Sequence, residues 1–258
     1  MTPAGISPSP YTRADLYDLL FNSYDADLDF YLGAAMQAGG PVLDVGCGTG
    51  RVLLPCLAAG IAADGVDSSA EMPERLLLNA QARGIEARVE LADMRGYRMP
   101  RRYALVMLPF NTFAHNLTGD DQLATLRCCH DHLLPGGRLL FDTFSATQAM
   151  LAEPVAPPVL ELEVPHPETG SPVRLYDARR LDVASQTQHS QIEIQEMDAA
   201  DEVAHSHRFM ALVRWTYPSE MELLLRLAGF VRWEITGGLD GREVAEHEGL
   251  IAVSAWKH

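Results

Sequence analysis

The stretch "VLDVGCGTGRVLLPCLAAG", residues 42–60, closes a short apolar run on Asp44 and then places glycines at 46, 48 and 50 ahead of an apolar helical segment. A glycine-rich turn between a strand and a helix removes the Cβ atoms that would hold a ligand off the backbone, and it leaves the first N–H groups of the helix facing that ligand. Two ligand classes use such a turn. A dinucleotide needs G-x-G-x-x-G, whose third glycine lets helix and strand pack closely. Here Gly46 and Gly48 fit, but the third position is Arg51 and the glycine falls one residue early, at Gly50. A ligand that ends in an amino acid asks instead for an acid close to an ammonium group, and Asp44 supplies it.

On either side of this turn, strands alternate with helices. "PVLDVG" predicts a first strand, "RVLLPCLAA" a helix, "IAADGVD" a second strand, and "AEMPERLLLNAQAR" a helix closed by Gly84. "ARVELAD" and "YALVMLPF" follow as third and fourth strands, "DDQLATLRCCHDHL" as a helix, and "GRLLFDTF" as a fifth strand. Strands that read as continuous apolar runs between helices indicate a parallel sheet covered on both faces. Capping-box spacing marks three helix starts: Ser68 with Glu71, Thr118 with Asp121 in a weaker acidic form, and Ser219 with Glu222. The first 36 residues read as helical, with Tyr17, Phe21 and Tyr24 on one face.

From about Ala146 the character changes. Prolines at 154, 157, 158, 165, 167 and 172 precede "VRLYDARRLDV", "SQIEIQEMD" and "HRFMALVRWTY", whose period-two alternation predicts antiparallel strands. The α/β pattern then resumes with the amphipathic helix "SEMELLLRLAGF" and the strands "VRWEITGG" and "EGLIAVSAWK". One domain over 1–258 is therefore expected. It comprises an N-terminal helical cap (1–36), a ligand-binding core (37–145), an inserted antiparallel region over the site (146–217), and a C-terminal helix with edge strands (218–258). The proline-rich stretch from about Met150 to Gly170 is expected to be mobile without ligand.

A chain of 258 residues, 47% hydrophobic and 21% charged, is long enough to bury a sizeable core. Its formal net charge of −15 would repel a phosphate backbone or an anionic membrane surface, so neither nucleic acid nor membrane is an expected partner. The N-terminal "MTPAGISPSPYTRADLYDLL" lacks the basic start and apolar core of a secretion signal, which predicts a cytoplasmic protein. Cys47, Cys56, Cys128 and Cys129 follow neither disulfide-framework nor zinc spacing and read as free thiols.

Together these residues resemble the class I S-adenosylmethionine-dependent methyltransferases. "LDVGCGTGRVLLPCLAAG" looks like the first motif of that family, and the rest follows in order. Asp67, in "GVDSSAEM", matches the acid that in the family holds both ribose hydroxyls, a task suited to a carboxylate that can accept two hydrogen bonds. Asp93 in "LADMR" matches the residue that meets the adenine amino group, with Met94 beside it, and "LLPGGRLLFDTF" resembles the turn before the fifth strand. The resemblance implies a Rossmann-like sheet of seven strands, mostly parallel with the last antiparallel, helices on both faces, and an inserted antiparallel β lid. It implies S-adenosyl-L-methionine as cofactor, leaving as S-adenosyl-L-homocysteine, held by Tyr17, Asp44, Gly46, Cys47, Gly48, Asp67, Ser68, Met72, Asp93, Met94 and Leu108. The helix "LYDLLF", the loop "LPFNTFAHNL" and the strands inserted after the fifth are most similar to amino-sugar and glycine N-methyltransferases, and imply nitrogen of a small metabolite as acceptor. Leu108 replaces the amide or acid that base-methylating relatives carry, which argues against DNA or RNA bases.

Methyl transfer is an in-line displacement in which a lone pair attacks the sulfonium methyl. Alignment and desolvation can supply much of its acceleration, so a neutral amine needs no obligatory base. A hydroxyl acceptor would need one, and His115 in the fourth-strand loop is the candidate. Asn111 is the candidate for orienting the acceptor. Phe21, Tyr24, Phe110, Phe113, Trp215 and Tyr217 are candidates for the acceptor pocket, because aromatic faces attract sulfonium and ammonium cations, although such side chains also serve as core. "HDH" at 130–132 and "HSH" at 205–207 lack a third ligand nearby, so no metal is expected, and Cys47 reads as a small residue tolerated at a tight turn. Other readings from the sequence are O-methylation through His115, a nicotinamide oxidoreductase, which Arg51 opposes, and a non-catalytic cofactor-binding protein. Exposed edge strands in 146–217 could pair two copies as a homodimer.

Overall fold

The computed structural model describes Ile6, Ser7 and residues 9–258. The chain divides into two compact units, one made of residues 1–24 and 148–213, the other of residues 25–147 and 214–258. The division falls inside the N-terminal helical segment, between α1 (Ala14–Phe21) and α2 (Leu28–Gln37).

The larger unit contains the glycine turn. Its seven-stranded sheet uses β2 (Val42–Val45), β3 (Ala63–Asp67), β4 (Val89–Leu91), β5 (Tyr103–Leu108), β6 (Leu133–Phe144), β11 (Arg232–Thr236) and β12 (Leu250–Trp256), in the order β11-β12-β6-β5-β2-β3-β4. Pairings from β6 through to β4 are parallel, while β12 runs antiparallel to both β6 and β11. This is the seven-stranded sheet with an antiparallel last strand that the sequence implied.

Alternate residues of each strand feed opposite cores. Leu43, Val45, Val106, Leu108, Leu139 and Phe141 pack with residues of α5 (Gly119–His132) and α7 (Pro218–Ala228). Val42, Leu105, Met107 and Leu140 face α2, α3 (Leu53–Ala58) and α4 (Glu71–Ala82). With both faces covered, polar alternation vanishes from the strands, and each fully buried leucine or phenylalanine contributes about 1.5–3 kcal/mol. The order of the strands puts β5 and β3 on the two sides of β2, so the loops leaving their carboxyl ends converge beside the glycine turn.

Helix ends agree with the sequence in part. Thr118 caps α5 by accepting from the Asp121 amide at 3.1 Å, and its hydroxyl donates to the Asp121 carboxylate. Gly84 and Gly229 close α4 and α7 at positive φ, each followed by an amide that reaches back to a helix carbonyl. The other two capping boxes do not form. Helix α4 begins after Ala70, with Ser69 turned to Glu71, and α7 begins with Pro218 after Tyr217, whose extended backbone and the missing proline N–H start the helix without a side-chain cap.

The smaller unit is built on a five-stranded sheet in the order β1-β10-β9-β8-β7. Its long antiparallel strands are β7 (Val155–Pro165), β8 (Pro172–Asp182), β9 (Thr187–Met197) and β10 (Val203–Arg214); β1 (Ile6–Ser7) pairs parallel to β10. The proline-rich stretch over 150–170 takes in the end of a short helix α6 (Gln148–Ala152) and the edge strand β7, which period-two alternation did not mark. Its prolines are accommodated because an edge strand needs fewer donors, and the register slips between Ala156 and Val159, across Pro157 and Pro158. Leu16 and Leu20 of α1 pack with Val173, Leu175, Ile194 and Phe209 as this unit's core.

Candidate active site

Asp44 is the centre of the site. It lies in β2, is 1% exposed, and neither carboxylate oxygen makes a hydrogen bond among the described residues. Burial pushes its pKa up to about 7, against the opposing pull of the Arg51 charge and the weaker one of the Leu53 amide, which lies nearby without hydrogen-bond geometry; Asp67 and Asp27 push the same way as burial. A buried acid with both oxygens unmatched is costly unless a donor arrives, and an ammonium group is the donor that would hold it ionised.

The turn that follows is formed by glycines at positive φ, 74° at Gly46, 53° at Gly48 and 96° at Gly50. A Cβ at Gly46 would lie 2.4 Å from Cγ2 of Thr112, so the fourth-strand loop rests directly on this glycine. Cys47 is turned the other way: a Cβ at Gly65 would meet its Sγ at 2.7 Å, and burial pushes its thiol well above the usual range. Cys47 is thus a small packing residue against β3, as its place in the sequence suggested, and its backbone is what the turn offers a ligand.

Asp67 ends β3 and accepts the Gly48 amide at 2.8 Å on one oxygen and the Ser69 amide at 2.9 Å on the other. Burial raises its pKa while the amides of Ser69, Gly48 and Ser68 oppose the shift. Each oxygen keeps a second lone pair, so the carboxylate can still receive two hydroxyls. Ser68 is exposed beside it and Met72 is buried on α4. Asp93 follows β4 with its carboxylate gripped by Arg95, Nε at 2.8 Å and Nη2 at 2.6 Å, and Arg95 also reaches Asp121 at 2.6 Å. That fork holds Asp93 below the usual carboxylate range. An adenine amino group would share those oxygens with Arg95. Met94 is partly buried, with its sulfur 3.2 Å from Asn116 Nδ2.

The loop after β5 carries two consecutive non-glycine residues at positive φ, Phe110 and Asn111, both at 59°. Left-handed backbone costs a residue with a Cβ about 1–2 kcal/mol, so something must hold this pair. The holder is Asp142, 3% exposed on β6, which accepts the Phe110 amide at 2.7 Å and the Asn111 amide at 2.8 Å. The hydroxyl of Tyr31, wholly buried on α2, donates to the same carboxylate at 2.5 Å. The Asn111 carboxamide oxygen is buried with no partner among the described residues. His115 lies in a 3-10 turn, Thr112–His115, and burial lowers its pKa. Neither Asp142 nor Tyr31 was singled out from the sequence. An acid inside the apolar run "LLFDTF" was the available signal, since a buried strand carries a carboxylate only where donors meet it.

Arg51, the residue in place of a third glycine, is buried against Asp27. Nη2 is 2.7 Å from Oδ2, Nη1 bonds the other oxygen, and the Phe110 ring centroid lies 4.9 Å from Cζ. Among the aromatic candidates, Phe113 is fully buried in the core with its ring 4.8 Å from Phe141, and Leu108 is likewise core. Their side chains serve packing and leave only backbone for a ligand. Trp215 is fully buried with its ring 6.0 Å from Phe144, and Tyr217 is partly buried. Tyr17, Phe21 and Tyr24 belong to the smaller unit, where the rings of Tyr17 and Phe21 lie 5.1 Å apart.

One histidine of each pair has structural partners. His132 Nδ1 donates to the Cys128 carbonyl at 2.8 Å and Nε2 accepts the Met99 amide at 3.2 Å, a pattern that assigns the Nδ1–H tautomer. His207 lies between Glu196 and Arg13. No group of three or more His, Cys, Asp or Glu residues is placed to hold a metal among the described residues. Among them, too, no helix is long and apolar enough to cross a membrane.

Residues 42–137 match the family described as a methyltransferase domain. Two curated relatives are dTDP-3-amino-sugar N,N-dimethyltransferases. That of Streptomyces fradiae, acting on the 3,6-dideoxy-glucopyranose, is 31% identical over 50% of this chain and 52% of its own length. That of Streptomyces venezuelae, acting on the 3,4,6-trideoxy sugar, is 28% identical over 50% of this chain and 56% of its own. The chain thus spans about half the length of these relatives. In fold, a solved S-adenosylmethionine-dependent methyltransferase of Clostridium acetobutylicum superposes with a TM-score of 0.77 at 17% identity, covering 95% of this chain and 98% of that one.

Proposed function

We infer that this chain, which carries a methyltransferase domain on a class I methyltransferase fold, transfers the methyl group of S-adenosylmethionine to a nitrogen of a small metabolite. The observation that carries the reading is Asp44. A wholly buried carboxylate with two unmatched oxygens, next to a turn of three glycines at positive φ, suits a ligand whose amino-acid end brings an ammonium group.

The residues present fit that cofactor. Asp44 would receive the ammonium, the backbone of Gly46, Cys47 and Gly48 would let the ligand lie close, and Asp67 would use its spare lone pairs for the ribose hydroxyls. Asp93 and the Met94 backbone would flank the adenine, and Ser68, Met72 and Leu108 would border the same crevice. The sulfonium supplies both the electrophilic methyl and its leaving group. What the chain adds is alignment, a dry surrounding, and the loop after β5, whose Asn111 and His115 would meet the acceptor, with Phe110, Trp215 and Tyr217 shaping its pocket. An amine attacks in its neutral form and releases its proton to water afterwards. The two amino-sugar relatives favour the nitrogen of an amino sugar as the acceptor class. We read residues 146–217 as an insertion within one catalytic chain in the cytoplasm.

The test is methyl transfer from labelled S-adenosylmethionine to a panel of dTDP-linked amino sugars and their hydroxyl counterparts, read by mass as a gain of one methyl. Transfer to amines alone is expected. Transfer to hydroxyls alone overturns the nitrogen assignment, and quenching of reduced nicotinamide fluorescence without any methyl transfer overturns the reading as a whole.

A further inference from the structure

Besides the hydroxyls of Thr143 and Ser145 at the end of β6, two sets of buried oxygens with no proton of their own lack partners at the carboxyl edge of neighbouring strands: both oxygens of Asp44 on β2, and Oδ1 of Asn111 just beyond β5. The first is accounted for by the cofactor's ammonium. The second is not, and its position is enforced. Asn111 cannot relax out of its left-handed conformation while its own amide and that of Phe110 are held by the two oxygens of Asp142, and the following residue, Thr112, is wedged against Gly46. Holding Phe110 at φ 59° runs against its intrinsic preference, although Asn111 beside it tolerates the left-handed region. The arrangement trades that cost for one result, a carboxamide oxygen presented without a partner next to the glycine turn.

We propose that Asp142 is a positioning residue which, by clamping the Phe110 and Asn111 amides, aims the Asn111 carboxamide oxygen at the point of methyl transfer, where it accepts an N–H of the incoming amine. The proposal rests on the cofactor reading given above. Tyr31 is subordinate: its hydroxyl braces one oxygen of Asp142 but touches neither amide. A carboxamide oxygen suits this task because it takes an N–H without taking the proton, and so fixes the lone pair's direction while leaving the amine neutral and nucleophilic.

Sinefungin permits a test without a known acceptor, because it carries an ammonium carbon in place of the methyl-bearing sulfonium, whereas S-adenosylhomocysteine has nothing there. Calorimetry gives the ratio of the two affinities for wild type and variants. Asn111→Ala should lower the preference for sinefungin about tenfold or more, the loss expected for one hydrogen bond to a charged donor, with S-adenosylhomocysteine affinity kept. Asp142→Asn, which puts an NH2 against one of the two amides, should lower the same ratio to a similar extent. Tyr31→Phe should change it less than about threefold, since both amides keep their acceptor. Equal weakening of both compounds in Asn111→Ala, or an unchanged ratio in Asp142→Asn, overturns the proposal. So does loss of S-adenosylhomocysteine binding in Asp142→Asn, because the carboxylate then serves the fold and not the aim of Asn111. If wild type binds neither compound, the cofactor reading itself falls and takes this inference with it.

Discussion

Arg51 and Asp27 form a two-pronged ion pair that is almost fully buried, with side chains 7% and 4% exposed. The pair ties the glycine turn to the residue ahead of α2, and the Phe110 ring lies against the same guanidinium. Arg51 is also the charge that most opposes the raised pKa of Asp44. One side chain therefore braces the turn, the fourth-strand loop and the protonation state of the central acid.

Removing one partner of such a pair leaves the other charge buried and alone, so Arg51→Gln should destabilise the fold by about 3–5 kcal/mol. The double variant Arg51→Gln with Asp27→Asn should recover part of that loss, because no uncompensated charge remains. Urea unfolding of wild type, Arg51→Gln, Asp27→Asn and the double variant checks this. A double variant as unstable as the sum of the two singles would mean that the ion pair is not what holds the turn.

Asp44 makes ligand affinity depend on pH. Its folded pKa is raised from 3.8 to about 7, so the free folded protein holds this proton where the unfolded chain has lost it. Its contribution to stability is accordingly greatest below the unfolded value and declines as pH rises toward about 7, by at most about 1.4 kcal/mol per unit. For binding, an ammonium needs the ionised form, so a proton must leave at low pH. Affinity for S-adenosylhomocysteine should fall as pH drops below about 7, by up to about tenfold per unit, and level off above it. Asp44→Asn should bind weakly at every pH, without that slope. Arg51→Gln should move the midpoint upward. A flat profile in wild type would remove Asp44 from the ammonium site.

Much of this was legible in the sequence, and the parts that were not share a cause. The alternation of apolar strands and helices, the glycine turn and the acids ending the strands are local signals, and all lie where spacing placed them. Arg51 was legible only as a missing glycine. Its positive role needs Asp27, which is 24 residues earlier and joins it only through tertiary packing. Asp142 was hidden for the same reason: its donors come from the fourth-strand loop and from α2, 31 to 111 residues away. The prolines of 150–170 hid the strand β7, because local composition does not reveal that a segment is an edge strand with a neighbour able to absorb a register slip.

Asp67 does two tasks, and a substitution should separate them. Asp67→Ala removes the ribose acceptor and also orphans the amides of Gly48 and Ser69. Affinity for S-adenosylhomocysteine should weaken by about 2–4 kcal/mol, with a further loss of about 1–2 kcal/mol in folding stability. Asp67→Asn keeps one acceptor oxygen and should fall between. Calorimetry and thermal unfolding read the two effects independently. A stability loss with unchanged affinity would assign Asp67 to the turn alone.

His115 decides between nitrogen and oxygen as the acceptor atom. Burial holds its pKa below the usual 6.5, so near neutral pH it is an uncharged imidazole able to take a proton. A hydroxyl acceptor would need that base, and His115→Ala would then lower the chemical step by about 10²- to 10⁴-fold. The pH-rate profile of wild type would show activity rising through an inflection below 6.5, and the variant would lack it. An amine acceptor uses its own lone pair, so His115→Ala should disturb only placement, with a small loss that is the same at every pH. We expect the second pattern, because the proposed acceptor is an amine and Asn111 already offers it an orienting oxygen. Single-turnover methyl transfer by both proteins across pH, with the acceptor found by the mass panel, is the measurement. A large loss that removes the inflection would replace N-methylation with general-base O-methylation and make His115, not the clamp on Asn111, the centre of the chemistry.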